Sequence, residues 1–191
     1  MPTRAHLALF IASTVAAFSI LAAVAPADEG SAVDCEALYQ KHLKTDLDLS
    51  YKEFDQTMGQ GFRVLAEVRC SKEAADLIEA YIEKNGATQG SLRWHVAQLR
   101  ASAGDYEAAV ESARQSLSED EAAKTQPLRW NDYVLATIAF LEGDLGKLKF
   151  HRDNVAAGKE DHFGNEMNLK LLDGLIRHFG KPYDEATRRR E

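Results

Sequence analysis

An all-α fold built from repeated helix pairs is predicted by three features of this 191-residue sequence. Cap residues recur along it, each followed by apolar positions at spacings of three and four, the period of a helix with one buried face. Proline is scarce: of four, one is Pro2 and another Pro26, so little interrupts those faces. Turn residues return at regular intervals, as a stacked array of helix pairs requires.

The elements follow in chain order. Thr45-Asp46-Leu47-Asp48-Leu49 alternates polar and apolar and reads as an extended link. Ser50 with Glu53 forms a capping box, the serine accepting an orphan amide and the glutamate reaching back to the cap. Tyr51, Phe54, Met58, Phe62 and Leu65 then share one helical face, and Gly59 and Gly61 within it suit close helix contact. Ser71 caps the next helix, with Ala74, Leu77, Ile78, Tyr81 and Ile82 inward, and Asn85-Gly86 ends it by tolerating a left-handed residue. Ser91 opens a helix carrying Leu92, Val96 and Leu99. Gly104-Asp105 breaks it and caps a partner holding Tyr106, Ala109, Val110 and Ala113. Pro127 suits a first helical position. Tyr133 to Leu141 is apolar nearly all round, the mark of a helix buried on several sides. Gly143-Asp144 is a second break, Gly164-Asn165 precedes the Met167–Phe179 face, and Pro182-Tyr183 opens a short last helix.

Composition bounds the class. The chain is 45% hydrophobic and 28% charged, proportions of a globular protein and not of a disordered one. The first 27 residues stand apart: Arg4 near a basic start, no charge from Leu7 to Val24, then Ala25-Pro26-Ala27. That is the pattern of a secretory signal peptide cut after Ala27, leaving a periplasmic or secreted protein with no stable membrane insertion; a retained anchor is the alternative. Ala32-Val33-Asp34 before Cys35 is unlike a lipoprotein signal. Residues 28–49 read as an N-terminal helix and linker, and 50–191 as the repeat domain. The net charge is −7, and loss of Arg4 with the leader leaves 22 basic against 30 acidic residues. An acidic chain makes a poor nucleic-acid partner. Arg188-Arg189-Arg190 is a local exception, read as a solvated helix end. Cys35 and Cys70 are too far apart for a local metal site; in an oxidising compartment a disulfide is the favoured reading, with two buried thiols the alternative.

Cys70, Gly104, Gly143 and Lys181 form one column, with separations of 34, 39 and 38. Five residues after each lie Ala75, Ala109, Leu148 and Ala186; seven before the last three lie Ala97, Ala136 and Gly174. Small residues therefore recur where paired helices approach closely. Gly104-Asp105-Tyr106-Glu107-Ala108-Ala109, with Ser116-Leu117 after it, resembles the turn and second helix of a tetratricopeptide repeat, and Gly143-Asp144-Leu145 and Tyr183-Asp184-Glu185-Ala186 resemble it more distantly. The resemblance implies a right-handed α-α superhelix, a tetratricopeptide-like solenoid of about four helix pairs that binds a protein or peptide. The sequence departs from the family in the register of Trp94 and Trp130 and in lacking a proline that closes each repeat. Trp130 to Leu141 also looks like a segment of exported bacterial proteins, a likeness that implies no activity.

Catalytic signatures are absent from the sequence. No two of the six histidines have the spacing of a helical zinc site. His151-Arg152-Asp153-Asn154 superficially resembles a kinase catalytic loop without that enzyme's other motifs. His162 sits in an acidic loop that assembles too few ligands for a metal. No cofactor or metal is expected. The most suggestive constellation is a doublet, Arg93-Trp94-His95 and Arg129-Trp130-Asn131, each at the start of a first helix, with Asn168 in the place of Trp130 one repeat on. In a stacked array these share one rim, and Trp and Arg are frequent interface anchors; the competing reading packs both tryptophans between repeats. The leading function is a non-enzymatic binding module. An enzyme with a site around His95, Asn131 and Asn168 and a structural subunit of an envelope assembly are the alternatives.

Overall fold

A computed structural model describes residues 33–118 and 126–188 of the chain. The expected signal peptide, residues 1–27, and Arg189-Arg190 lie outside the described residues. Ten helices and no strand are present among them: α1 (Cys35–Thr45), α2 (Tyr51–Gln56), α3 (Arg63–Glu67), α4 (Ser71–Asn85), α5 (Gly90–Ser102), α6 (Tyr106–Gln115), α7 (Trp130–Leu141), α8 (Leu145–Ala157), α9 (Phe163–Arg177) and α10 (Tyr183–Thr187). None is long and apolar enough to cross a membrane.

The helix ends that follow the expected chemistry are local ones. Ser50 and Glu53 form the capping box at α2. Asp105 caps α6 and Asp144 caps α8, each accepting from the amide three residues on. Gly86, Gly104, Gly143 and Gly180 take positive φ at the breaks, where a side chain would meet its own backbone.

Several expectations give way. The face from Tyr51 to Leu65 is not one helix: α2 ends at Gln56, and the chain turns through Gly59 and Gly61, both at positive φ, before α3. A Cβ on Gly61 would collide with the Phe54 backbone, so this loop glycine makes its close approach to α2 itself. Residues 46–49 form a turn closed by Leu49 N–H to the Asp46 carbonyl, not an extended link. Pro127 precedes α7 by three residues instead of opening it. Gly164 and Asn165 lie inside α9, whose cap is His162, its Nδ1 accepting from the Gly164 amide at 2.9 Å.

Two apolar clusters run through the fold. In the first, Phe54, Phe62, Leu65, Leu77, Ile78 and Tyr81 pack between α2, α3 and α4, with the Phe54 and Tyr81 rings stacked at 3.9 Å. Cys35 and Cys70 form a disulfide that ties the start of α1 to the start of α4. The second joins α5 to α10 through Trp94, Tyr133, Val134, Phe140, Leu148, Leu172 and Tyr183. The small residues sit as their columns require: Ala97, Ala109 and Ala136 are buried, and a Cβ on Gly174 would touch the Ala186 carbonyl at 3.5 Å. One set of contacts joins elements far apart in the chain. The amide of Tyr183 donates to the Tyr106 hydroxyl at 3.1 Å, so α10 closes back on the α5–α6 pair.

Candidate functional site

The residues singled out from the sequence part into three environments. Trp94 is 5% exposed and meets Trp130 edge to face at 5.5 Å and Tyr133 at 5.0 Å. It is core, because its position on α5 turns the ring toward α7. Trp130 is half-buried and donates its indole N–H to the Ser116 carbonyl at 2.9 Å. Asn131 pairs with the backbone of Ser118 at both ends of its amide, 2.9 Å each. These two contacts moor the chain leaving α6 to the start of α7.

Arg129 and His95 are also tied into the fold. The Arg129 amide donates to Asn165 Oδ1 at 2.8 Å. Asn165 is fully buried and also donates to the carbonyls of Pro127 and Gly158. It therefore fixes the approach to α7 against α8 and α9, a role its apparent place in a helix break concealed. His95 Nδ1 lies 2.7 Å from Asp55, whose carboxylate is wholly inaccessible to solvent while the imidazole is 23% exposed. Burial raises the Asp55 pKa, but the hydrogen bond and charge of His95, with bonds from Gln56 and Tyr51, outweigh it and hold the carboxyl below its usual value. Asp55 is thus the acceptor and His95 Nδ1 the donor. The pair clasps α2 to α5. Arg93 is half-buried on α5.

Asn168 lines a groove, a cavity of about 720 Å³ bounded by α9, α10 and Tyr133 of α7. Burial pushes the Tyr133 hydroxyl far above the ordinary tyrosine range, so the floor is a neutral phenol. Lys170, Arg177, His178 and Arg188 stand around the wall, with no acidic residue among its lining. Met167 and Leu171 supply its apolar part. The pattern was present in the sequence as one face of α9, with Met167, Lys170, Leu171, Gly174 and Arg177 spaced by three or one, but Tyr133 and Arg188 come from other segments. Two further cavities are present: one of about 760 Å³ along Asp105–Glu111 and Leu141-Glu142, rich in carboxylates, and one of about 460 Å³ beside Trp130 and Ser116. None of the three has His95 in its wall.

Among the described residues, the one cluster with metal-type ligands is Cys35, Cys70 and Glu73. Its sulfurs are bonded to each other and offer no thiolate. Comparison with known proteins adds no identity: no family model matches the chain, and no curated protein and no solved structure matches it significantly.

Proposed function

We propose that this chain is an exported helical-repeat module, tetratricopeptide-like in build, that recognises a protein or peptide through the groove between α9, α10 and Tyr133. The observation that carries the reading is the groove itself. It has a size in the range of ligand sites, a polar floor, apolar walls and cations at its edge. Asn168 is the member of the sequence-derived set that lies in it, and Arg93, Trp130 and Asn131 flank the neighbouring helix starts. The disulfide is compatible with an oxidising, extracytoplasmic compartment.

A peptide-library selection on the purified protein tests this. Peptides enriched on the wild type should be lost on Asn168→Trp, which fills the groove, while the thermal midpoint stays the same. Enrichment unaffected by Asn168→Trp would overturn the groove as the binding site. A structural role in an envelope assembly draws on Phe150 and Phe163, both prominently exposed; concentration-dependent self-association in sedimentation would favour it.

A further inference from the structure

We infer that the α9–α10 groove takes an acidic amphipathic helix of a partner protein, which lays its apolar face on α9 and its carboxylates against Arg177, Lys170 and Arg188. This deepens the binding-module reading above and rests on it.

Charge complementarity comes first. The chain carries seven more acidic than basic residues, yet every ionisable side chain at the rim of this groove is basic, apart from the phenol on its floor. Internal anions satisfy only part of that rim. Lys170 pairs with Glu166 at 2.9 Å, and Arg188 pairs with Asp184; neither acid lines the groove. Arg177 is exposed and makes no ion pair among the described residues. A guanidinium in that position offers a carboxylate two parallel N–H donors.

The apolar half of the face gives the partner its shape. Phe163 is 74% exposed and Met167 38%. They lie one turn apart on α9, and Leu171 follows one turn later. Anchors repeating every turn along a helix match a second helix laid beside it, the helix-in-groove mode of recognition. α10 is only five residues long, and among the described residues Phe163 and Met167 of α9 stay exposed while Leu171 is partly buried against the core. Nucleic acid fits less well. The net negative charge of the whole chain repels a long polyanion, whereas a short acidic helix meets the local cations within a Debye length of about 10 Å at 0.1 M salt.

The test uses fluorescence anisotropy with three labelled helical peptides of about four turns each. The first presents Leu and Phe on one face and Glu on the other; in the second and third every Glu is Gln or Lys. The purified exported protein should bind the Glu peptide at least about tenfold more tightly than the Gln peptide at 0.1 M salt, and the gap should close at 1 M. Arg177→Glu and Lys170→Glu should each weaken the Glu peptide severalfold without moving the thermal midpoint, and Phe163→Ala should weaken the Glu and Gln peptides alike. Equal affinity for the Glu and Gln peptides would overturn the acidic preference and leave the groove standing. No binding of the Glu peptide, or undiminished binding to Asn168→Trp, would overturn the proposal, and the library selection, which presumes no charge, then judges the groove separately. Capture by phosphatidylglycerol vesicles that the Glu peptide cannot compete away would overturn it in favour of a membrane surface.

Discussion

Trp94 on α5 and Trp130 on α7 meet edge to face with ring centres 5.5 Å apart, and Tyr133 closes the triangle. This geometry joins the two first helices at their N-terminal ends. Trp94→Ala should therefore cost about 3–5 kcal/mol, the range for removing a large buried ring. Trp130→Phe keeps most of the packing but loses the bond to the Ser116 carbonyl and should cost roughly 1 kcal/mol. Urea unfolding monitored by circular dichroism measures both. A Trp94→Ala midpoint equal to wild type would contradict the burial described above.

The disulfide should contribute strongly to stability. Its two cysteines are 35 residues apart, and on the chain-entropy model closing such a loop is worth roughly 3–4 kcal/mol. Reduction, or Cys35→Ser, should lower the melting temperature and loosen α1 first, because α1 has no fully buried residue of its own. Hydrogen exchange resolved by peptide would show α1 opening before α4. Uniform protection after reduction would show that packing alone holds α1.

Asp55 should make the fold sensitive to acid. Its carboxyl is held below the ordinary value in the folded state. Stability from this group is thus fully present above the unfolded-state pKa of about 4 and is lost as the pH falls through the lower folded value. His95→Gln removes the imidazole whose hydrogen bond and charge lower the Asp55 pKa, so Asp55 takes up its proton at higher pH. The acid-unfolding midpoint should rise, and stability at neutral pH should drop by about 1.5–3 kcal/mol, as for a hydrogen bond to a charged group. A circular-dichroism titration with the same acid midpoint for both proteins would show that the pair carries no such linkage.

Gly61 and Gly86 make a matched comparison. Both have positive φ, 54° and 59°. A Cβ on Gly86 meets nothing within 4 Å, whereas one on Gly61 collides with the Phe54 backbone. Gly86→Ala should cost about 1–2 kcal/mol from the left-handed backbone alone. Gly61→Ala should cost more and shift α2 relative to α3. Equal losses for the two variants in denaturant titrations would remove the close approach as the reason for Gly61.

What was legible in the sequence was local. The breaks at Gly104-Asp105 and Gly143-Asp144 follow from groups that meet within a few residues: an aspartate on an amide three positions on, and a glycine beside it at positive φ. The small-residue columns share this legibility, since Ala109 and Ala136 are small because a helix pair joined by one short turn must close there. The helix expected from Tyr51 onward failed because apolar spacing continues through Gly59 and Gly61 while the backbone does not, and only the fit against Phe54 reveals it. Asn165 was misplaced for the same reason: its three partners, Arg129, Pro127 and Gly158, are distant in the chain or across a turn. Burial turned Trp94 from a rim anchor into core through α7, which sequence position alone does not orient. The groove needed the tertiary structure most. Asn168 was identified by its column, but Tyr133, Arg177 and Arg188 converge only because α10 packs along α9 and back against α5, and a charge excess in one place is a property of folded space rather than of order along the chain.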